Sequence, residues 1–399
     1  MNRDIRRIVM FRTIEICNNT LNLFSDRVAE SLRSKGIDVG FINLNAQGSD
    51  LADEYVREMN KGFDAALAFN SCGQHETSMQ DDNVFEYMHV PFFNWILDHP
   101  CEHIGDIRSS LKNYHIICLD RDHVNYVKRF FPNIAGVHFI PLGGEKASAE
   151  IDYSIDAFKN REFDISFTGS CFSLENLGLK IGALPEELRI ASVDMIEAMC
   201  DNRELNNEDA FRYALQKNNI TFDDDLFVQY SQITAKTNPF VRAYVRMEII
   251  QYLASAGVKI HLFGDGWDNL EYKGNIIIHG SIPYKESVKC AAKSKISFNI
   301  MPLFKDGLHD RIPTAMLNGS AVVTDGSRYI NEVFESKGPN QELYIYDASH
   351  PESIAGILLD ALEDIDALYN VAQRGRKKAE QSFTWDSRVD ELVRILTSA

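Results

Sequence analysis

Twelve short apolar runs, separated by segments with helical spacing, are the feature that most restricts how this chain can fold. The first six cover residues 5–13, 39–44, 64–70, 91–98, 114–120 and 136–142. The second six cover residues 163–169, 258–264, 275–281, 295–301, 321–326 and 343–347. Strands that are apolar almost throughout and alternate with helices form mainly parallel sheets covered on both faces. The sequence therefore predicts an α/β protein with two doubly wound, Rossmann-like domains facing a cleft.

A polar stretch between the two sets of runs marks the domain boundary. The first set ends at Pro141-Leu142-Gly143-Gly144, and the residues up to Arg161 are mostly polar, which is typical of a linker. We therefore predict an N-terminal domain over residues 1–145, a linker over 146–162 and a C-terminal domain over 163–380. The second domain carries a helical insertion at about 173–252, and a final helix over 381–399 packs back on the first domain. Ligands of such sheets bind where the strands end, so we expect the functional residues in the loops that follow strands.

The net charge excludes several classes of partner. The 399-residue chain has 41 Lys and Arg against 58 Asp and Glu, which gives a formal charge of −17 at pH 7. A negative field repels the phosphates of nucleic acids and the headgroups of anionic lipids. No apolar run approaches the roughly 20 residues that span a bilayer. We therefore expect neither a nucleic-acid partner nor an integral membrane segment.

The cysteines and the first residues of the sequence indicate the compartment. Seven cysteines are scattered without a Cys-x-x-Cys pair, a pattern that favours reduced thiols. The residues up to Thr13 show no signal-peptide pattern. We therefore expect a cytoplasmic protein. The sequence carries no indication of its oligomeric state.

Two loops of the second domain carry residues suited to a nucleoside. In Gly264-Asp265-Gly266-Trp267, small residues let the backbone approach a ligand closely, and we expect the indole ring at the rim of the cleft. The loop that ends in Ile282-Pro283-Tyr284 precedes a helix and offers backbone polar groups and an aromatic face. An ordinary helix start that begins with proline explains the second loop equally well.

A third loop carries residues suited to phosphate. His309 and Arg311 precede a short helix that begins near Ile312 and is followed by Gly319. The free N–H groups at a helix start and the positive end of the helix dipole favour an anion. Arg311 can bridge two phosphate oxygens, and His309 can donate to a third or to a sugar hydroxyl. The alternative is a capped surface helix with a solvated arginine.

As a set, these motifs resemble the C-terminal domain of GT-B glycosyltransferases and, more narrowly, the CgeB-like (spore-maturation-protein-like) family. The resemblance rests on the order Gly-Asp-Gly-Trp, Gly-Ser-Ile-Pro-Tyr, Phe298-Asn299, His309-x-Arg311 and Val322-Val323-Thr324-Asp325. By motif it covers residues 258–347, and by domain layout nearly the whole chain. It implies a bacterial enzyme that transfers a sugar from a nucleoside diphosphate to an acceptor.

The resemblance also implies roles for the predicted residues. The second domain would hold a UDP-, GDP- or dTDP-sugar, and the first would hold most of a glycan or protein acceptor. By position, residues 264–267 and 282–284 would lie near the nucleoside. Asn299, His309 and Arg311 would lie near the diphosphate and the sugar. No cofactor beyond the donor and no metal is implied.

One position departs from the family pattern. Many members have Glu after the Arg-x-Phe step, where it can hold the ribose hydroxyls, whereas this chain has Thr314. A hydroxyl still makes one hydrogen bond, but it cannot replace a bidentate carboxylate. Asp306 and Asp310 are candidates to take over that role. The change fits either a specialised donor or a weakened enzyme.

The first domain offers candidates for a general base. Its fourth apolar run ends in Asp98-His99-Pro100, where the family commonly shows Asp-x-Pro. A carboxylate or imidazole at a strand end can take the proton of an acceptor hydroxyl, so Asp98 and His99 are our candidates. The alternative is that Asp98 caps the next turn and His99 is a rim residue. We expect Asn18, Asn19 and Thr20, after the first run, to cap a helix rather than touch the acceptor.

Three patterns imitate metal sites but have simpler structural explanations. His99, Cys101 and His103 alternate in sequence but have no evident fourth ligand. Asp120-Arg121-Asp122 imitates a metal-binding Asp-x-Asp, but a strand end followed by a helix cap explains it better. The run Asp223-Asp224-Asp225 is most simply a solvated turn. None of them argues for a required metal.

Two other functions fit the same sequence. A nucleotide-sugar 2-epimerase would use the same donor cleft but would release free sugar and nucleotide without an acceptor. A degenerate transferase retained as a binding protein would turn over no donor, and Thr314 in place of Glu motivates this second alternative.

Overall fold

The computed structural model describes residues 4–13, 20–46, 48–75, 83–109, 111–271 and 274–398. Two compact units are present, and we call them the first and the second unit. The first consists of Met1–Leu142 with Trp385–Ala399, and the second of Gly143–Thr384. The C-terminal segment therefore belongs to the same unit as the first strands.

Each unit contains a six-stranded, all-parallel sheet, as the sequence predicts. The first sheet consists of β1 (Arg7–Arg12), β2 (Asp38–Asn43), β3 (Ala65–Phe69), β4 (Phe92–Ile96), β5 (Tyr114–Cys118) and β6 (Gly136–Phe139). The second consists of β7 (Phe163–Thr168), β8 (Ile260–Phe263), β9 (Ile276–Ile278), β10 (Ser294–Asn299), β11 (Ala321–Asp325) and β12 (Tyr344–Tyr346). All twelve predicted strands are confirmed, and their bounds differ from the prediction by at most three residues.

Helices connect the strands in both units. Those of the first unit are α1 (Thr20–Ser34), α2 (Ser49–Lys61), α3 (Val84–Tyr87), α4 (Ile104–Ile107) and α5 (Arg121–Phe130). The second unit begins with α6 (Ile155–Lys159), and its insertion contains α7 (Leu174–Gly182), α8 (Glu186–Asp201), α9 (Asn207–Lys217), α10 (Asp224–Ile233) and α11 (Thr237–Ser255). It continues with α12 (Tyr284–Ala292), α13 (Arg311–Leu317), α14 (Arg328–Val333), α15 (Pro351–Glu363) and α16 (Ile365–Ser382). The last helix, α17 (Trp385–Ser398), lies in the first unit.

The core of the first unit is rich in aromatic residues. Every residue of β3, β4 and β5 is buried, because helices cover both faces of the sheet. The rings of Phe69 and Trp95 stack with centroids 5.3 Å apart. Trp385 of α17 lies 5.1 Å from Phe24 of α1, so α17 completes this core. No described helix in either unit is long and apolar enough to cross a membrane.

The two sheets differ in strand order. The first has the order β2-β1-β3-β4-β5-β6, and the second has the order β12-β11-β10-β7-β8-β9. In the second sheet the chain proceeds outward from β7 to β9 on one side and from β10 to β12 on the other. The loops after β7 and β10 therefore leave in opposite directions and open a crevice at the carboxyl ends of these two strands.

The chain enters and leaves the second unit side by side. Gly144 pairs with Thr384, and its N–H donates to the carbonyl of Phe383 at 2.8 Å. A Cβ atom at position 144 would lie 2.6 Å from the carbonyl carbon of Pro313, so only glycine fits there. The next residue, Glu145, donates its N–H to the Thr314 hydroxyl at 3.1 Å. The segment at the boundary is therefore packed tightly against α13.

Candidate functional site

A polar crevice lies at the point where the strand order of the second sheet reverses. Its walls are the carboxyl halves of β7 and β10 and the helices α12 and α13. It is lined by Ser166, Thr168, Tyr284, Ser287, Ala291, Ser297, Phe298, Asn299, Asp310, Arg311, Thr314, Ala315 and Val322. Five residues predicted from the sequence are brought together in this lining, namely Tyr284, Asn299, Asp310, Arg311 and Thr314. Most of the lining side chains carry a hydroxyl, an amide or a charge, which suits a hydroxylated, anionic ligand.

A chain of hydrogen bonds connects Tyr284, Asp310 and His309. The Tyr284 hydroxyl donates to Oδ2 of Asp310 at 2.9 Å, and Nδ1 of His309 lies 2.7 Å from Oδ1. Burial alone would raise the pKa of Asp310, but the neighbouring His309 brings the pKa below its usual value. Burial, together with the nearby Arg311, lowers the pKa of His309. Asp310 is therefore a buried carboxylate, and both of its oxygens accept hydrogen bonds from protein groups.

Arg311 lies at the start of α13, against the end of β7. Its Nη1 donates to the carbonyl of Thr168 at 2.8 Å, and its guanidinium lies 5.8 Å from the centre of the Phe167 ring. Burial lowers the pKa of Arg311, and the carboxylates of Asp310 and Asp325 oppose that shift. Its Nε lies 3.3 Å from Nδ1 of His309. The side chain is thus held at the crevice by two contacts, and Nη2 is the nitrogen that faces no acceptor among the described residues.

Two further arginines reach the same sheet edge from α11. Arg246 donates through Nη1 to the carbonyl of Ser170 at 2.7 Å. Its guanidinium lies 5.6 Å from the centre of the Phe167 ring, the same ring that Arg311 contacts. Nε of Arg246 is buried, and so is Nε of Arg242 one helical turn earlier, and neither atom has a hydrogen-bond partner among the described residues. Burial lowers the pKa of Arg246 well below its usual value, and repulsion from Arg311 and Arg242 adds to the effect.

Arg242, Arg246 and Arg311 form what we call the arginine cluster. In the part of the chain that the structure describes, none of the three makes an ion pair with a carboxylate within 4.0 Å. Buried cations that repel one another are costly unless an anion compensates them. Guanidinium groups are also the preferred partners of phosphate oxygens, because their parallel N–H donors match the spacing of those oxygens. The cluster is therefore a candidate site for a diphosphate.

Asn299 presents an unused acceptor to the crevice. Its side chain is buried, and its Nδ2 donates to the Thr324 hydroxyl at 2.9 Å, which fixes the orientation of the amide. Its Oδ1 is buried and accepts no hydrogen bond from any residue that the structure describes. A buried acceptor left in this state costs about 1–3 kcal/mol, and a ligand hydroxyl in the crevice would satisfy it.

Asp325 is a buried carboxylate that supports the loop after β10. Both of its oxygens lie 2.9 Å from the backbone N–H of Met301. Burial raises the pKa of Asp325 to about 6, although this hydrogen bond favours the ionised form. Asp325 therefore joins the ends of β10 and β11 next to the arginine cluster.

The glycine-rich loop after β8 packs against the segment that follows β7. Trp267 is only 1% exposed, and its Nε1 donates to the carbonyl of Gly169 at 2.9 Å. The expectation that its ring lies at the rim is wrong, because the ring packs edge-on against Phe167 with centroids 5.7 Å apart. A Cβ atom at Gly266, whose φ is 83°, would lie 1.6 Å from the Cys171 carbonyl oxygen.

The other residues of this loop help it to hold the segment after β7. Gly264 has a φ of 145°, and a Cβ atom there would lie 2.5 Å from the Gly169 carbonyl oxygen. Asp265 is exposed, and its backbone N–H donates to the Ser170 hydroxyl at 3.1 Å. Because the same segment carries the carbonyl that Arg246 binds, the loop acts as a support for the arginine cluster.

The residues before α12 serve to start that helix. Ile282 packs on a buried cluster of Phe163, Phe263 and Cys290. Pro283 is exposed and occupies the N-cap position of α12. Of these three predicted residues, Tyr284, the first residue of the helix, is the one that lines the crevice. Its neighbours therefore position it and do not line the candidate site.

The start of α13 differs from the expectation of free N–H groups for phosphate. The helix covers Arg311–Leu317, so Arg311 and Thr314 are part of it. The N–H of Ile312 donates to the carbonyl of His309 at 3.1 Å, and the N–H of Thr314 donates to that of Asp310 at 3.0 Å. Pro313 has no N–H. Positive charge for an anion is therefore supplied by side chains and not by this helix start.

The predicted substitutes for the missing family Glu lie in different surroundings. Asp310 faces the crevice, whereas Asp306 lies 3.3 Å from Nε of Arg328. The Thr314 hydroxyl accepts the N–H of Glu145 and is buried. Of the two predicted carboxylates, Asp310 alone lines the crevice, but both of its oxygens already accept hydrogen bonds from protein groups.

The first unit has its own polar group of residues at the end of β4. Asp98 is exposed, and its Oδ2 lies 3.4 Å from Nδ2 of Asn70, whose Oδ1 accepts the N–H of Leu97 at 2.8 Å. Asn70 has a φ of 47° and Ser71 a φ of 63°, values that non-glycine residues rarely adopt and that concentrate at functional sites. Asn70 thus holds the strand end and orients Asp98.

His99 is engaged in local structure. Its Nδ1 accepts the N–H of Cys101 at 3.1 Å and caps the short turn that follows. The ring makes edge contacts with His123 and Tyr126, at centroid distances of 4.6 and 5.1 Å. Burial and the neighbouring His123 and His103 hold the pKa of His99 well below its usual value. The imidazole is therefore neutral, with its proton on Nε2.

The residues of the three patterns that imitate metal sites cap helices or make local contacts. Asp120 caps α5 by accepting the N–H of Asp122 at 2.8 Å, and Asp223 caps α10 by accepting that of Leu226 at 2.8 Å. Within the described ranges, no group of three or more His, Cys, Asp or Glu side chains is arranged to hold a metal ion. Asn18 and Asn19 lie outside the described residues, and Thr20 begins α1.

The sequence analysis missed Arg242 and Arg246. Both lie in the insertion, which was predicted only as a set of helices. A signal was present, because the two arginines are four residues apart on a helix whose intervening residues are Ala243, Tyr244 and Val245. Residues at this spacing share one helix face, so two cations there indicate a common anionic partner.

Comparisons with known proteins give a family match for part of the chain and a fold for the whole of it. Residues 246–394 match the family described as glycosyl transferase-like, and this segment includes two members of the arginine cluster and most of the crevice. No curated protein matches the chain in sequence.

Three solved structures show the fold. An α-glucosyltransferase in complex with UDP and a 13-mer DNA containing an HMU base is 12% identical, with a TM-score of 0.55 over 99% of this chain and 100% of that one. Anabaena Alr3699/HepE in complex with UDP-glucose is 12% identical, with a TM-score of 0.53 over 98% and 100%. AviGT4, a glycosyltransferase involved in avilamycin A biosynthesis, is 12% identical, with a TM-score of 0.51 over 99% of both chains. The chain therefore has the GT-B glycosyltransferase fold of two Rossmann-like domains.

Proposed function

We propose that this protein transfers a sugar from a nucleoside-diphosphate sugar to a hydroxyl of a glycan or protein acceptor. The observation that carries the proposal is the arginine cluster at the reversal point of the second sheet, three cations that have no carboxylate partner among the described residues. The match of residues 246–394 to a glycosyl transferase-like family and the GT-B fold support it. We further propose the CgeB-like subfamily on the motif order in residues 258–347.

The donor is proposed to bind with its diphosphate on the arginine cluster. Arg246 and Arg311 each use one donor on a backbone carbonyl, at 2.7 and 2.8 Å, which fixes their direction and leaves other N–H groups for phosphate oxygens. The adjoining crevice takes a hydroxylated part of the donor, where Oδ1 of Asn299 accepts from a sugar hydroxyl. A uridine nucleotide is the first choice of donor, because UDP or UDP-glucose is bound in two of the similar structures.

The charge of the leaving diphosphate is proposed to be stabilised without a metal. As the bond to the sugar breaks, negative charge grows on the diphosphate, and fixed cations that already point at it stabilise the transition state more than the ground state. Three guanidinium groups supply that charge from protein side chains. The prediction is that a chelator leaves the transfer rate unchanged.

We assign the role of general base to Asp98. Its carboxylate is exposed and oriented by Asn70, as a base that meets an acceptor hydroxyl requires. His99 is the poorer candidate, because Nδ1 accepts a backbone N–H and Nε2 carries the proton, so no lone pair is left to take one.

A thermal-shift screen tests the donor proposal. UDP, GDP, CDP, dTDP and their common sugars are added to the purified protein with EDTA or with MgCl₂. A ligand that binds only the folded protein raises its melting temperature, so we expect one nucleotide to stabilise it equally in both buffers. The shift should be lost in Arg311→Gln and kept in Arg394→Gln, a matched control on the exposed side of α17. No shift with any nucleotide would contradict the proposal.

Product analysis separates transfer from the alternatives. The stabilising nucleotide sugar is incubated with and without a panel of glycan and protein acceptors, and the products are identified by mass spectrometry. Transfer predicts a glycosylated acceptor and nucleoside diphosphate in equal amounts. Free sugar and nucleotide formed without an acceptor would identify an epimerase. Binding without turnover of any donor would identify a binding protein.

A further inference from the structure

We propose that His309 couples donor binding to the uptake of a proton. In the empty site the imidazole is neutral, and when a diphosphate binds, it takes one proton from solvent and donates a hydrogen bond from Nε2 to a phosphate oxygen. This inference rests on the proposed donor-binding function and adds a proton to the binding equilibrium. The inference rests on the chain of hydrogen bonds from Tyr284 through Asp310 to His309, which sets the tautomer of the imidazole ring.

The first step is the tautomer of His309. Nδ1 of His309 lies 2.7 Å from a carboxylate oxygen of Asp310 and 3.3 Å from both the backbone nitrogen and Nε of Arg311. The shortest of these contacts requires a hydrogen on Nδ1, because two bare lone pairs would repel each other at 2.7 Å, and it outweighs the two longer ones. Asp310 cannot turn away, since its other oxygen accepts the Tyr284 hydroxyl at 2.9 Å. With the proton on Nδ1, the neutral ring has its lone pair on Nε2.

The second step is the accessibility of Nε2. The His309 side chain is 30% exposed, while that of Asp310 is only 6% exposed, so the ring extends from a buried anchor toward solvent. The Phe304 ring makes an edge contact with it at a centroid distance of 5.7 Å and restricts its rotation. The polar contacts of His309 with the described residues all go through Nδ1, and none goes through Nε2. The atom is therefore free to accept a proton and then to donate it to a ligand.

The third step is the charge around the ring. Arg311 on α13 and Arg246 on α11 are cations that oppose protonation, and Asp310 is the anion that favours it. Tyr284 on α12 stays uncharged, because burial raises its pKa well above the usual value. Burial and the two arginines outweigh Asp310, so the pKa of His309 lies below its usual value. The empty site therefore leaves the ring neutral near pH 7.

A bound diphosphate reverses this balance. Its negative charges compensate Arg246 and Arg311 and add a direct attraction for a protonated imidazole, so the pKa of His309 rises on binding. One proton passes from solvent to the Nε2 lone pair, and no bond of the protein or the ligand breaks. When the diphosphate leaves, the proton returns to solvent. A proton taken up on binding makes affinity fall with rising pH, by at most tenfold per pH unit.

Isothermal titration calorimetry tests the inference. UDP is titrated into the whole protein at pH 7.0 in two buffers of different ionisation enthalpy, and the difference in heat gives the number of protons exchanged. The experiment is repeated with His309→Gln, which keeps an amide donor but cannot titrate. His350→Gln is the control, because His350 is an exposed histidine of the same unit. The β-phosphate of UDP also titrates, but its contribution is the same in all three proteins and cancels in the differences.

We expect the wild type and His350→Gln to take up more protons than His309→Gln, by up to one proton per UDP. The affinity of wild type should fall between pH 6 and 8 more steeply than that of His309→Gln. If His309→Gln binds no UDP, the pKa of His309 in the wild type is measured by histidine NMR with and without UDP, and a rise is expected. UDP binding with equal proton uptake in all three proteins, or with no rise in that pKa, overturns this inference alone. Absence of binding by UDP and every other nucleotide of the screen overturns the proposed function with it.

Discussion

The two units have sheets of the same size and the same parallel direction, but they carry different chemistry where their strands end. In the second unit, Arg242, Arg246 and Arg311 lie near the ends of β7 and β10, and no carboxylate of the described part of the chain pairs with them. In the first unit, the end of β4 carries the exposed carboxylate of Asp98 and the neutral imidazole of His99.

This difference shows that the loops after the strands, and not the sheets, determine the chemistry of each unit. A cationic edge binds an anionic diphosphate, while an edge with an oriented carboxylate removes a proton from a neutral acceptor. Under the proposed function the first unit should control the rate of the chemical step, and the second should control donor affinity. Each prediction below changes one side of this comparison.

The largest effect is expected in the first unit. Asp98→Asn removes the proposed base but keeps the size of the side chain, so kcat should fall by about 10²–10⁴-fold. The Kd for UDP should stay within a factor of about two, because the arginine cluster is unchanged. Transfer assays and calorimetry measure the two quantities, with Asp53→Asn, an exposed change on α2, as the control. An unchanged kcat would remove Asp98 from the mechanism.

In the second unit, a substitution in the arginine cluster should weaken donor binding. Arg246→Gln removes a charge-assisted contact to phosphate, so the Kd for UDP should rise about 10- to 100-fold, which corresponds to about 1.5–3 kcal/mol. Denaturation in the absence of nucleotide checks that the variant is folded. A folded variant that binds UDP as tightly as the wild type would contradict the assignment of the arginine cluster.

The stability of the first unit should depend on pH through its buried histidines. Burial and the neighbouring His138 lower the pKa of His115 to about 4, while an unfolded chain has a histidine pKa near 6.5. Between these values the unfolded state binds more protons, so the free energy of unfolding falls as pH falls from 6.5 to 4. His115 contributes about 2–3 kcal/mol of this loss.

Urea denaturation at pH 7.0 and pH 4.5 measures the effect. His115→Gln removes the titrating group, so its unfolding free energy should change less between the two pH values than that of the wild type. Equal changes in both proteins would show that the ring of His115 is already accessible to protons in the folded state.

The smallest effect is expected for Thr314 in the second unit, where a substitution distinguishes a structural role of the hydroxyl from a contact with the donor. Thr314→Val keeps the shape of the side chain but leaves the N–H of Glu145 without its acceptor, so stability should fall by about 1–2 kcal/mol. Thr314→Ser should restore most of it. If Thr314 has no direct role in the donor site, Thr314→Val should bind UDP and 2′-deoxy-UDP in the same ratio as the wild type. A changed ratio would place the hydroxyl in contact with the ribose.

The sequence predicted both sheets but only part of the candidate site. The success and the omission each have a physical reason. Strand positions depend on local apolar runs, which are visible in sequence. Asn299 was found because it ends a strand, and Tyr284 and Arg311 were found in the segments that lead from a strand to the next helix. Parallel strands bring such segments to one edge of the sheet. Arg246 was missed because α11 reaches that edge only through the packing of the insertion, a long-range contact.

Burial was the other property that sequence could not supply. Trp267 was expected at the rim because it follows two glycines in a loop. Those glycines instead let the loop lie against residues 169–171 so closely that the indole is buried. The sequence alone does not say whether a glycine makes room for a ligand or for another part of the protein.

The side-by-side entry and exit of the chain at Gly144 and Thr384 has a consequence for the order of assembly during synthesis. The second unit, Gly143–Thr384, is complete in sequence before Trp385 is made. The core of the first unit needs that tryptophan, which packs against Phe24, and it needs α17 to cover α1. A ribosome therefore finishes the second unit while the first still lacks its last helix, so the half that is translated first is the half that matures last.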